Sequence, residues 1–271
     1  VQWTELLLSF ATSVVGALGG LGGAILLVPL LVLTGVSPRA AAPLGLVSVA
    51  GGSLSASALQ ARERTVNHRI GVTTELAAST GAVIGVLASG LVSDTFLQRF
   101  LALVAIAAAV LGGRRKGVRN LPDPALSTDD VGEHVGSLSG AYVLDGQIVP
   151  YRARRLLAGS GLFALSGLLA GMAGASGGFV KTPATSEVMH VPVRVAAATT
   201  TFTIGLTAAT GLGVMAMQGR LDLHECAAVC VGSVLGGRVG ALAQTRLSPP
   251  QVRRVLSALL VVVGVILLVR A

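Results

Sequence analysis

The chain has 271 residues, 52% of them hydrophobic and only 12% charged, with a mean hydropathy of +0.79. A water-soluble domain carries about twice that charged fraction, and several apolar runs reach the roughly 20 residues that cross a bilayer, so the chain reads as an all-α polytopic membrane protein. The net charge of +8 is not a nucleic-acid footprint, because nearly all the Lys and Arg residues lie in short links between apolar runs, where the positive-inside rule puts them.

The first apolar run, about 6–33, is too long for one straight helix: about 40 Å at 1.5 Å per residue, against a hydrocarbon core of about 30 Å. The cluster Gly19-Gly-Leu-Gly-Gly23 divides it, with Pro29 beyond. Helices are predicted over about 40–60, 70–92 and 96–112. A polar insert follows at 114–155, basic at both ends (Arg114–Arg119 and Tyr151–Arg155), with Asp123, Asp129, Asp130 and Glu133 between them. Asp145-Gly146 between two β-prone pieces predicts a small hairpin, in what otherwise reads as a tethering loop.

The pattern then recurs. A second interrupted run, about 156–190, carries Gly174-Ala-Ser-Gly-Gly178 followed by Lys181 and Pro183, and helices are predicted over about 195–217, 224–245 and 252–270. In register, Gly20 matches Gly174, Gly23 matches Gly177, Pro29 matches Pro183, and Pro38 matches Pro192. After a one-residue slip, Gly81 matches Gly236, Gly85 matches Gly240 and Arg99 matches Arg254. The expected organisation is therefore a first transmembrane repeat at 1–113, the insert at 114–155 and a second repeat at 156–271.

Each interrupted run either crosses once or enters and returns as two half-helices. The returning arrangement, with three full spans per repeat and the two repeats inverted, leaves only Arg39, Arg99, Arg220 and Arg270 on the side away from the insert. That asymmetry is sharper than in the crossing arrangement, and it favours inverted halves. Both arrangements put the insert in the cytoplasm.

A helix broken inside a membrane exposes backbone groups that lipid cannot satisfy, and the half-helix after each break aims its N–H groups and positive dipole end at the gap. Gly20, Gly22, Gly23, Gly174, Ser176, Gly177 and Gly178 are accordingly candidate backbone ligands for an anion. Lys181, in the first turn of the second half-helix, would be offset by such an anion. The alternatives for it are snorkelling, or a structural pair with Glu75 or Glu187. Thr199 and Thr200, on the hydroxyl-rich helix that follows, are candidate donors, with helix packing as the alternative. Glu75 and Arg238 are the other intramembrane charges; proton or substrate roles are open to them, but both lie near predicted helix ends, where snorkelling is favoured. Cys226 and Cys230 fall four apart on one helix and read as small packing residues. No metal site, cofactor motif or catalytic set stands out, and enzyme activity is not expected.

The residues resemble the sulfite exporter TauE/SafE family, also called the toluene sulfonate uptake permease family. The resemblance rests on a glycine cluster followed by proline in each half, then Lys181-Thr-Pro183 and Val191-Pro-Val-Arg-Val-Ala-Ala-Ala-Thr-Thr-Thr-Phe-Thr-Ile-Gly205, and on an insert ending Val149-Pro-Tyr-Arg-Ala-Arg-Arg155. It implies a carrier of sulfite, organosulfonates or related small anions in a bacterial or archaeal cytoplasmic membrane, often an exporter. The expected function is secondary export of such an anion by alternating access, the anion sitting between the two breaks and nearer the second. A carrier or channel for a carboxylate or a cation, and a non-transporting membrane scaffold, are the competing readings. A homodimer is open.

Overall fold

A computed structural model of the chain describes residues 2–19, 23–62, 64–113, 126, 131–144, 146–243 and 249–271. The helices are α1 (Gln2–Gly19), α2 (Ala24–Leu33), α3 (Pro38–Arg62), α4 (His68–Ser89), α5 (Asp94–Gly113), α6 (Leu156–Ala173), α7 (Gly178–Pro183), α8 (Val193–Met217), α9 (Leu223–Ala243) and α10 (Pro249–Val269). A π-helical turn, Ala184–Val188, continues α7. The chain is thus a polytopic all-α membrane protein. Among the described residues, six helices (α3, α4, α5, α6, α8 and α9) are long and apolar enough to span a membrane. Large apolar side chains such as Leu76, Leu87, Leu103 and Val262 are exposed on the outside of the bundle, a surface that suits lipid.

Both interrupted runs turn back. In a continuous helix, residues 166 and 177 would stand about 16 Å apart, yet the Ser166 hydroxyl donates to the Gly177 carbonyl at 2.8 Å. The Arg154 N–H donates to the Met189 carbonyl at 2.9 Å, so the run 156–189 starts and finishes at the same end of the bundle. Gly23 likewise lies against the backbone of Ser13. The start of α1 packs beside Leu223 and His224, and Arg270 donates to the Leu33 carbonyl that closes α2. Arg39, Arg99, Arg220 and Arg270 all bind at the end away from the insert. Arg39 pairs with Asp94 at 3.0 Å, Arg220 donates to the Arg39 carbonyl and to Ser89, and Arg99 donates to the Ala271 carbonyl.

Glycine rows close the helix pairs. Gly232, Gly236 and Gly240 of α9 sit against Leu6 and Ser9, Phe10, and Val14 of α1, and the two helices run parallel. Gly81 and Gly85 of α4 sit against Ala164 and Leu168 of α6, while Gly167 and Gly171 of α6 sit against Ala78 and Ala82 of α4. A glycine every fourth residue lets two backbones approach closely and gain packing where lipid offers no hydrophobic driving force. The glycines matched in sequence therefore do the same work twice: Gly81 and Gly85 for α4 on α6, Gly236 and Gly240 for α9 on α1.

The insert is more than a tether. Strands β1 (Gly132–Glu133), β2 (Ser139–Leu144) and β3 (Gln147–Arg152) form an antiparallel sheet in the order β1-β2-β3. Leu144 pairs with Gln147 across a two-residue turn in which Gly146 adopts φ 80°; Asp145 and most of 114–130 lie outside the described residues. Tyr142 and Tyr151 are buried with Ile70, Met189, Val191 and Val195 at the helix ends. Asn67, fully buried, is the fastener: its side chain accepts from the Ile70 N–H as N-cap of α4 and donates to the Ser139 carbonyl and the Tyr151 hydroxyl.

Candidate functional site

The second break is filled. α6 ends at Gly174, whose left-handed φ of 65° stops the helix, and the Gly174 carbonyl faces Gly45 of α3 so closely that a Cβ there would collide. Ser176 accepts from the Gly178 N–H at 3.2 Å, and Gly177 lies against Ser166. Lys181, on the buried side of α7, has no exposed surface. Its Nζ donates to Glu75 Oε2 at 2.6 Å, to Thr207 Oγ1 at 2.5 Å and to the Thr203 carbonyl at 3.3 Å, and sits 5.0 Å from the Phe163 ring centroid. An ammonium has three N–H groups, so all of them are in use. Glu75 accepts further from the hydroxyls of Thr207 and Ser79. The space lined by Ser176, Gly177, Lys181 and Thr207 amounts to about 0 Å³, too small for a water molecule.

Pro183 explains why α7 is so short. It brings no N–H to the helical ladder, and the chain widens beyond it into the π turn, where the Met189 N–H reaches back to the Ala184 carbonyl. Thr185 and Ser186 donate their hydroxyls to the Lys181 and Thr182 carbonyls. Nothing in the local sequence signals this turn.

The first break, by contrast, opens on a cavity of about 80 Å³. Gly23 at the start of α2 lines it, with Ser13 and Gly16 of α1, Ser48, Gly52, Ser53 and Gln60 of α3, Thr200, Thr201 and Ile204 of α8, and Gly237 of α9. Among the described residues no Asp, Glu, Lys or Arg lines it. The first N–H groups of α2 have no intrahelical acceptor, and the helix dipole makes that end positive. Ser48 joins Ser13 and Ser233 through hydroxyl contacts at 3.4 and 2.8 Å. Thr200 Oγ1 and Gln60 Oε1 are buried atoms with no hydrogen-bond partner among the described residues. Thr200 itself is 3% exposed, and leaving a buried hydroxyl unmatched costs about 1–3 kcal/mol.

The candidate residues therefore separate. Gly23 and Thr200 meet at the cavity. Gly174, Ser176, Gly177, Gly178 and Lys181 build the closed second break, and Gly20 and Gly22 lie outside the described residues. Thr199 accepts from the Asn67 N–H at 3.0 Å and so serves the insert clamp. Glu75 does not snorkel: it is 5% exposed and is the partner of Lys181. Glu187 and Arg238 are exposed, outside both breaks. Ser48 and Ser53 are among the hydroxyls of the first-half helix that also fit small-residue packing, whereas no cue in the sequence points to Ser13 or Gln60. In the repeat register Ser13 stands opposite Gly167 and Ser166 opposite Thr12, so the alignment of the two halves carries no signal for Ser13.

The repeats differ most where charge is concerned. In the repeat register Leu27 and Cys230 stand where Lys181 and Glu75 do, so one break holds an ion pair and the other a cavity with no charged group among its described lining residues. A profile described as "Sulfite exporter TauE/SafE" matches residues 6–267. The chain belongs to the TauE/SafE family. It is also 24% identical over 272 residues to the "Probable membrane transporter protein YunE" of Bacillus subtilis (strain 168), covering 95% of this chain and 93% of that protein. No solved structure matches significantly. As a TauE/SafE protein with multiple spans, the chain is a membrane transporter, and the two breaks are where its fold departs from plain helices.

Proposed function

We propose that this TauE/SafE protein is a secondary carrier that exports a small sulfur oxyanion or organosulfonate by alternating access, holding the anion in the cavity at the first break. The observation that carries the reading is the conjunction of the α2 N-terminus at Gly23 with the Thr200 hydroxyl, unpartnered among the described residues, across a space with no charged group among its described lining. Neutral dipoles suit one negative charge; a second would lack compensation in a medium of low dielectric, so the preferred form is a monoanion such as bisulfite or a sulfonate. The reading moves the anion from the second break to the first, because the three N–H groups of Lys181 are already engaged.

Access supports the same view. The cavity extends from Gly23 past Ala56 to Gln60, near the end of α3 on the insert side. At the far end Arg39, Asp94, Arg220 and Ser89 tie three helix turns together. Two returning runs that open at opposite ends fit inverted halves rocking about a central site. The four arginines at the end away from the insert fit an insert on the cytoplasmic side of a bacterial or archaeal cytoplasmic membrane.

Thermal melting of the purified protein with sulfite, sulfoacetate, taurine, sulfate, succinate and Na⁺ tests the reading, followed by efflux of the stabilising anion from proteoliposomes. Sulfite or sulfoacetate is expected to raise the melting temperature, and Thr200→Val to weaken that binding about tenfold, the worth of one hydrogen bond to a charged group. Stabilisation by succinate or Na⁺ alone, or an unaltered Thr200→Val, overturns it.

A further inference from the structure

We propose that Glu75 carries the coupling proton: protonation of Glu75 releases Lys181 to compensate the transported anion, so that one proton travels with each monoanion. This rests on the anion occupying the first-break cavity. Two side chains, Val49 of α3 and Ile204 of α8, line both that cavity and the Lys181 site. A partition one side chain thick therefore separates the anion cavity, whose described lining carries no charge, from a fully buried ammonium.

The charge balance sets the stoichiometry. With Glu75 ionised, the Lys181–Glu75 pair is neutral and has nothing to offer an anion. When a proton from water forms an O–H bond on a Glu75 oxygen, the pair gains one positive charge while Lys181 keeps its three protons. Phe163, with its ring face 5.0 Å from Nζ, and the Thr203 carbonyl and Thr207 hydroxyl remain to hold the ammonium. A monoanion entering past Val49 and Ile204 restores neutrality, and the loaded carrier reorients with no net charge.

Lys181 is the charged group facing Glu75 among the described residues. The other elements around it present Phe163 from α6, Thr203 and Thr207 from α8, and Ser79 from α4 itself. Ser79 also accepts from Thr210, so a line of hydroxyls runs from Glu75 along α4 and α8 toward the end away from the insert. The anion cavity extends toward the opposite end. Export under this scheme runs down the anion's own gradient and takes a proton with it, so an acid exterior opposes efflux.

In proteoliposomes loaded with buffer, an imposed inward proton gradient is expected to drive accumulation of labelled sulfite or sulfoacetate, with one proton entering per anion, and a potassium diffusion potential is expected to have no effect. Glu75→Gln, which mimics the protonated acid, should lose gradient-driven accumulation and show anion exchange whose rate no longer varies with pH. Accumulation that follows the diffusion potential in the wild type, or gradient-driven accumulation retained by Glu75→Gln, overturns the proposal, and the wild-type arm decides even where the variant does not fold. If the wild type neither binds nor moves these anions, the cavity reading has failed. The proton step is then read separately by infrared difference spectroscopy between acid and alkaline buffer: a protonated-carboxyl band present in the wild type and missing from Glu75→Gln supports it, and no such band overturns it.

Discussion

Lys181 and Glu75 stand 106 residues apart in the chain and 2.6 Å apart in space, with side chains 0% and 6% exposed. A buried pair of this kind is weak evidence of net stability, but breaking it strands a charge at a cost of about 3–5 kcal/mol. Lys181→Met is therefore expected to melt well below the wild type in detergent. Adding Glu75→Gln to it should recover most of the loss, since neither residue then carries an uncompensated charge. A double variant as unstable as the single one would show that packing, not charge, governs the site.

The glycine rows make a second prediction. A Cβ at Gly81 would strike the Ala164 carbonyl, and one at Gly236 the Phe10 carbonyl, whereas Gly161 on the same kind of helix has nothing within 4 Å. Gly81→Leu and Gly236→Leu should each cost about 1–3 kcal/mol or more and lower the yield of monodisperse protein. Gly161→Ala should be neutral or stabilising by up to about 1 kcal/mol. Size-exclusion profiles and melting curves of the three variants check this.

The insert clamp is a third. Tyr151, buried against Asn67, has its hydroxyl pushed up to about 12 by burial, above the ordinary tyrosine value of about 10. A raised folded-state value means the clamp's contribution is complete below about pH 10 and fades as pH climbs toward 12. Ultraviolet titration should show Tyr151 ionising late, together with release of the insert. Asn67→Ala, which leaves the Tyr151 hydroxyl and the first turn of α4 without that partner, should cost about 1–3 kcal/mol.

Topology gives a fourth. With Cys226 and Cys230 replaced by alanine, single cysteines in the variants Arg39→Cys and Arg194→Cys should react with an impermeant thiol reagent from opposite sides of the membrane. Labelling of both from one side refutes the inverted arrangement.

Much of this was legible in the sequence, for physical reasons that differ by residue. The breaks were readable because helix length against bilayer thickness is simple geometry, and the starts of α2 and α7 fall at Ala24 and Gly178, within a residue of where the glycine clusters put them. The matched glycine rows were readable because Gly81, Gly85, Gly236 and Gly240 cannot be replaced without separating backbones. The partner of Lys181 was not, because Glu75 and Glu187 were both within reach on paper and only packing decides which one is buried. Nor was the unequal filling of the two breaks: it depends on whether Val49 and Ile204 close over a space, and spacing along a chain carries no such information. The sheet of the insert was half visible, as a hairpin at Gly146, while its docking through Asn67 depends on contacts 72 and 84 residues away.

The parallel seam between α1 and α9 also governs the order of biosynthesis. α1 leaves the ribosome well before α9, and the glycines that receive it, at 232, 236 and 240, follow more than 200 residues later. At about 5–20 residues per second, that leaves α1 without its neighbour for about 10–45 seconds, its Ser9 and Ser13 face waiting in the bilayer or against the insertion machinery. α4 finds α6 much sooner. The α1–α9 seam closes only when α9 enters the membrane, and two fragments divided within the insert should be able to find each other when made in the same cell.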